Sequence, residues 1–411
     1  MGVGSQFVTE TPDFYSYSPV PLEIASAKAN RVIIEWPDGH SIAVSGTWLR
    51  ENIVGHSVDP LTREGIGSPS DHLGPRLEHA GVTADGTLSV DWDDGCSAEF
   101  DSGWLRSFAT GGAGMLAGLP TATPWVSARA GQEIAGDRRL ELPLHIWPPL
   151  APDGTVAPAV LRPIVDDLIR YGVVRLVDGP TGQDDLESFA VNLGPLRDTN
   201  FGRVWDVMAK VDPNSTAYTG RPLVPHTDLP TRERPPGFQA LHCVENTCEG
   251  GLNQMADGLA IVRHLEATEP DYFEALTTLR WVFMSKGRGI DHRWTAPVVE
   301  FEPIDGAILI RGFSPVRAFP DMPVDDVDRS YAAISRLHEL GADPAFQIQS
   351  AFQPGQAVIF DNRRMLHARS GFDPSAGIRR LRGCYFDPDD IRSVARVLAR
   401  TNPLPDQRLS A

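Results

Sequence analysis

Two histidines and a carboxylate are the first candidates for chemistry. In "RPLVPHTDLP" (221–230), His226 and Asp228 stand two apart in a run that reads as a half-buried strand. Side chains at i and i+2 of a strand share a face, so imidazole and carboxylate project together. Burying both costs free energy unless something there pairs with them. His367, in "FDNRRMLHARSGF", opens another apolar-flanked strand after a polar turn. Two histidines and one carboxylate on one face form the facial set of non-heme Fe(II) oxygenases, leaving about three of six coordination positions open. H-x-D alone is a weak signal, and a zinc hydrolase uses the same ligand types.

Arg379, in "IRRLRGCYF", raises the oxygenase reading. Alternation puts it on one face with Leu381, Gly383 and Tyr385, and Arg380 and Arg382 on the other. A guanidinium there can hold the far end of a dicarboxylate by a bidentate pair, a feature the hydrolase reading leaves unexplained. A strand with surface arginines accounts well for Arg380 and Arg382. Of the other histidines, His40, His56, His72 and His79 fall in polar turns and are expected to be solvated, and His242 and His338 to be packed.

The elements that must position these groups are mostly strands. Residues 20–110 alternate β-branched and aromatic residues between Asp-Gly and Ser-Gly turns, as in "RVIIEWPDG" and "TLSVDWDDG", which predicts a small β-rich domain. "TGGAGMLAGLPTATP" (110–124) is the linker candidate, and a larger domain is expected over 140–400. There, helical spacing over 157–172 stops at Gly172, and further helices are expected at 257–279 and 324–341. Strand runs such as "GFQALHCVE", "QAVIFDN", "LHARSGF" and "RRLRGCYF" surround them. Many strands with few βαβ alternations predict a mainly β fold with helices (α+β), built on an antiparallel double sheet.

Composition narrows the partners. The 411 residues carry 37 basic against 54 acidic side chains, a net charge of −17, which argues against a nucleic-acid backbone or an anionic membrane as partner. No apolar run approaches the roughly 18 residues needed to span a bilayer. Four cysteines make no disulfide framework, and the opening residues lack a signal pattern, so a reduced, cytoplasmic setting is expected.

The chain resembles the γ-butyrobetaine hydroxylase and trimethyllysine dioxygenase branch of the TauD-like Fe(II)/2-oxoglutarate oxygenases. The likeness rests on "WLREN" (48–52), "GVVRL" (172–176), "AYTGRPLVPHTD" (217–228), "LHCVENTCEGG" (241–251), "DNRRMLHAR" (361–369) and "RRLRGCYFDPDD" (379–390). It implies a double-stranded β-helix (jelly-roll) catalytic core, with Fe(II) held by His226, Asp228 and His367. It also implies 2-oxoglutarate and O2 as co-substrates, with Arg379, Asn253 and Tyr385 at the 2-oxoglutarate site. Phe201, Trp205 and Tyr218 match three positions of an aromatic cage for a trimethylammonium group, and Leu229 stands at the fourth. Phe201 and Trp205 also suit the core of a helix or loop. Ser215 falls where relatives hold the substrate's acid group, with Arg311 and Arg317 as spare cations. A small zwitterion is the implied substrate, either γ-butyrobetaine-like or a trimethylammonio-phosphonate, to be hydroxylated or desaturated. A betaine-binding protein that has lost catalysis is the rival reading. The resemblance also suggests a homodimer. Relatives hold a structural zinc in the small domain, but "WLRENIVGHSV" has no cysteine and Cys96 alone cannot make a four-ligand site, so no zinc is expected.

Overall fold

Buried apolar runs bounded by turns become the central strands. "AVIFD" is buried along nearly its whole length and forms the strand Ala357–Asp361. It lies between Val173–Val177 and Phe238–Asn246 in a six-stranded sheet. That sheet runs Leu144–Ile146, Val173–Val177, Ala357–Asp361, Phe238–Asn246, Arg379–Phe386, Val204–Val207. Its pairings are antiparallel except the first. A second, antiparallel sheet has the order Leu223–His226, Met365–Arg369, Asn253–Asp257, Gln347–Ser350. Together they make the double-stranded β-helix. The structure, a computed structural model, describes residues 6–8, 10–110, 118–128, 138–210, 216–285, 289–303, 305–312 and 317–400.

Helix boundaries follow local chemistry. The helix Pro158–Tyr171 stops at Gly172, whose φ of 74° is the left-handed cap that glycine adopts without strain. The expected helix over 257–279 is two, Gly258–Thr268 and Pro270–Thr278, because Pro270 lacks the N–H that would continue the first. "RVWDV" is neither helix nor loop but the edge strand Val204–Val207, paired with Arg379–Phe386.

The described chain divides into two compact units, one up to Gly118 with the residues from Arg396, the other Leu119–Ala395. The second begins before residue 140 because the segment ahead of it is bonded into the core. The Trp125 backbone N–H donates to Asp257 (3.0 Å) and its indole N–H to the Tyr171 carbonyl (2.7 Å). The linker candidate lies partly outside the described residues. In the first unit, a sheet of Gln6–Val8, Ser97–Phe100, Leu88–Trp92 and Leu77–Val82 and another of Ile24–Lys28, Arg31–Glu35 and Ser41–Ser45 enclose a core with Trp36, Trp92 and Trp104. Arg50 of "WLREN" pairs there with Asp94 at 2.5 Å. His72, expected in solvent, is buried.

Candidate active site

Cross-strand register, rather than alternation along one strand, gathers the three ligand candidates. His226 closes its strand directly opposite His367, and the two rings sit 4.1 Å apart. Asp228 lies beyond the strand end, in a turn that carries Leu229 at φ 53°. Asn362 holds that turn: its Oδ1 accepts the Asp228 N–H at 2.7 Å, and its Nδ2 donates to the Asp228 and Pro236 carbonyls at 3.1 Å. The Asp228 Oδ1 then stands 3.5 Å from His226 Nε2 and 3.8 Å from His367 Nε2. One ligand atom from each residue falls within 4.8 Å of the others, and no other such group occurs among the described residues.

Protonation states suit a metal. His226 Nδ1 is 2.8 Å from the Val224 carbonyl, which assigns it the proton and turns Nε2 to the cluster. Burial, aided by His226, lowers His367 to about 3, so it is neutral. Burial alone would raise Asp228, but the hydrogen-bonding contact with His226, the imidazole of His367 beside it and the Tyr385 hydroxyl together hold it below the usual carboxylate range. Unprotonated imidazole nitrogens and a carboxylate anion are the donors that a divalent ion requires.

Arg379 lies at the same cavity; among the described residues it makes one hydrogen bond, Nη2 to the Gly251 carbonyl at 3.2 Å, and has a buried Nε without a partner. Burial lowers its pKa. Gly251 makes this approach feasible, since a Cβ there would meet the Arg379 Nε at 2.9 Å. Sequence reasoning missed Arg369, two residues past His367 on the same face. Its Nη2 donates to the Thr219 and Arg221 carbonyls at 2.5 and 2.6 Å, and its Nη1 to Ala217 at 3.2 Å. Burial and Arg379 push it down to about 10. Among the described residues, neither arginine pairs with a carboxylate.

The cavity holds about 710 Å³ of space between atoms, part of it open to solvent. Phe201, Trp205, Tyr218, Tyr385 and Asn253 line it with the groups above. Trp205 sits 5.9 Å from Phe201 and 4.4 Å from Tyr385 by ring centroids. Gln239, also missed, is buried on the wall with Oε1 unpartnered. Its signal was its place in "GFQALHCVE", where it opposes Tyr385 in register.

Tyr385, expected at the 2-oxoglutarate site, lines the cavity with Arg379, donates its hydroxyl to Asp228 Oδ2 at 2.7 Å and packs on Trp205. Two expectations change. Leu229 is not part of the wall; its left-handed backbone serves the turn. Arg311 is not a spare cation. Its guanidinium is buried on Glu300 (2.8 Å) and the carbonyls of Pro230 (2.7 Å), Arg232 (2.7 Å) and Glu233 (3.0 Å), where it clamps the chain after Asp228. Ser215 and the Arg317 side chain lie outside the described residues.

A double-stranded β-helix with a histidine–carboxylate–histidine cluster and a cavity arginine defines an Fe(II)/2-oxoglutarate-dependent dioxygenase, and the donor set fits both groups. The chain belongs to the taurine catabolism dioxygenase TauD, TfdA family, whose pattern matches residues 153–385. It is 34% identical over 387 residues to a gamma-butyrobetaine dioxygenase of Pseudomonas sp. (strain AK-1), covering 92% of this chain and 97% of that one. The Homo sapiens gamma-butyrobetaine dioxygenase is 30% identical, over 56% of this chain and 61% of its own. The mitochondrial trimethyllysine dioxygenase of Rattus norvegicus is 29% identical, over 58% and 57%.

Proposed function

We propose that this dioxygenase hydroxylates an unactivated C–H bond of a small trimethylammonium zwitterion of the γ-butyrobetaine kind. The observation that carries the reading is a single cavity in which Phe201, Trp205, Tyr218 and Tyr385 share walls with His226, Asp228 and His367. Aromatic faces attract a quaternary ammonium, by about 2 kcal/mol or more when desolvated. A relative matched over 92% of this chain is named gamma-butyrobetaine dioxygenase.

The residues divide the work. His226, Asp228 and His367 would hold the iron, and Arg379 the distal carboxylate of 2-oxoglutarate through a charge-assisted pair. When bound, iron and 2-oxoglutarate supply the oxidation, consuming O2 and yielding succinate and CO2. The aromatic walls would grip the cation, fixing a remote carbon against the reacting centre. Commitment of Arg311 to Glu300 removes one cation that could have held the substrate's acid group, carboxylate or phosphonate.

The test is incubation with Fe(II), 2-oxoglutarate and a panel of trimethylammonium acids. Succinate and a product heavier by about one oxygen atom are expected; succinate without any substrate dependence would sink the reading. His226→Ala should abolish the visible band that Fe(II) and 2-oxoglutarate give together without O2. For setting, we propose the cytoplasm, in keeping with four free cysteines, three of them buried. A homodimer, by likeness to the family, is checked by light scattering.

A further inference from the structure

The two oxygens of Asp228 do different things. Oδ1 faces both Nε2 atoms of the histidines, whereas Oδ2 accepts the Tyr385 hydroxyl at 2.7 Å. A free carboxylate can meet a divalent ion through one oxygen or two. Here one is already occupied.

The donor has little freedom to leave. Tyr385 is 1% exposed and opposes Gln239 in register. Its ring packs on Trp205, and the indole lies over Gly383, where a Cβ would meet it at 2.9 Å.

We infer that Tyr385 is a positioning residue for the metal: its hydroxyl fixes the rotation of the Asp228 carboxylate and leaves Oδ1 alone toward the two imidazoles. The inference rests on the metal site proposed above. One ring thereby serves two ends, as a wall of the aromatic enclosure and as the orienting partner of a metal ligand. Partners of this kind typically change metal affinity 10–100-fold.

Mn(II) is the probe, titrated without turnover and followed by the paramagnetic resonance of the free ion. Tyr385→Phe keeps the ring and its packing. Its dissociation constant for Mn(II) is expected to rise by about 10–100-fold, with the Tm of the metal-free protein nearly unchanged. Equal affinity in the two proteins would overturn the inference. So would a variant that no longer folds without metal, since the hydroxyl would then serve stability. A wild-type protein that binds no Mn(II) overturns both this inference and the metal site beneath it, which distinguishes the two failures.

Discussion

Two pairs of buried arginines in the catalytic unit are treated in opposite ways. Arg364 donates from Nε and Nη2 to Asp257 at 2.8 and 2.7 Å, and further to the Thr123 and Arg170 carbonyls. Arg311 is equally committed to Glu300 and three carbonyls. Among the described residues, Arg379 and Arg369 donate hydrogen bonds only to carbonyl oxygens, both lie over the Phe372 ring, and each retains a buried Nε without a partner. Buried charge without a counter-charge is costly. The first pair therefore belongs to the framework, and in the function proposed above the second is left for an anion to match. Burial alone does not distinguish them; the partner list does.

Substitution should separate the pairs. Arg364→Met leaves Asp257 charged and buried, so chemical denaturation should show a loss of about 3–5 kcal/mol. Arg379→Met deletes a cation with no carboxylate to strand. Metal-free stability should hold or rise, while calorimetry finds 2-oxoglutarate binding weakened by about 100-fold, within the 2–5 kcal/mol range for truncating such a pair. If Arg379→Met destabilises as much as Arg364→Met, the distinction is wrong.

The aromatic wall offers a milder contrast. Trp205→Leu should raise KM for a trimethylammonium substrate about 30-fold, the equivalent of about 2 kcal/mol, with 2-oxoglutarate affinity unaffected. Leu229→Ala, by contrast, should leave that KM alone.

Acid probes the histidine–carboxylate cluster itself. His367 is lowered to about 3, below its unfolded value near 6.5, so between those values the unfolded chain binds a proton the native one does not. Stability of the metal-free protein should therefore fall as pH drops from 7 to 5, by about 2 kcal/mol from this group. Asp228, also lowered, acts in the same direction at still lower pH. Mn(II) should offset part of the loss, and a denaturation midpoint indifferent to pH over this range would contradict the buried, neutral His367.

Much of this site was legible beforehand, for identifiable reasons. Arg379 was placed on the correct face because strand alternation is a local rule, and Arg380 and Arg382 on the other face do pair with Asp206. Trp205 was harder: a four-residue edge strand carries too little pattern to reveal itself, and only pairing with Arg379–Phe386 defines it. The bond from Tyr385 to Asp228 was not legible, because a motif names a residue without naming its partner.

By itself, the order of residues determined the ligand types, the alternation that sends Arg379 inward, the helix stop at Gly172 and the acidic balance. All of these depend on neighbours within a few residues or on simple sums. Only the folded arrangement decided that His226 faces His367, that Asn362 fixes the Asp228 turn, and that Tyr385 rather than Leu229 lines the cavity. Those contacts join segments more than a hundred residues apart, and hydrogen-bond partners at that separation are selected by the geometry of packed sheets.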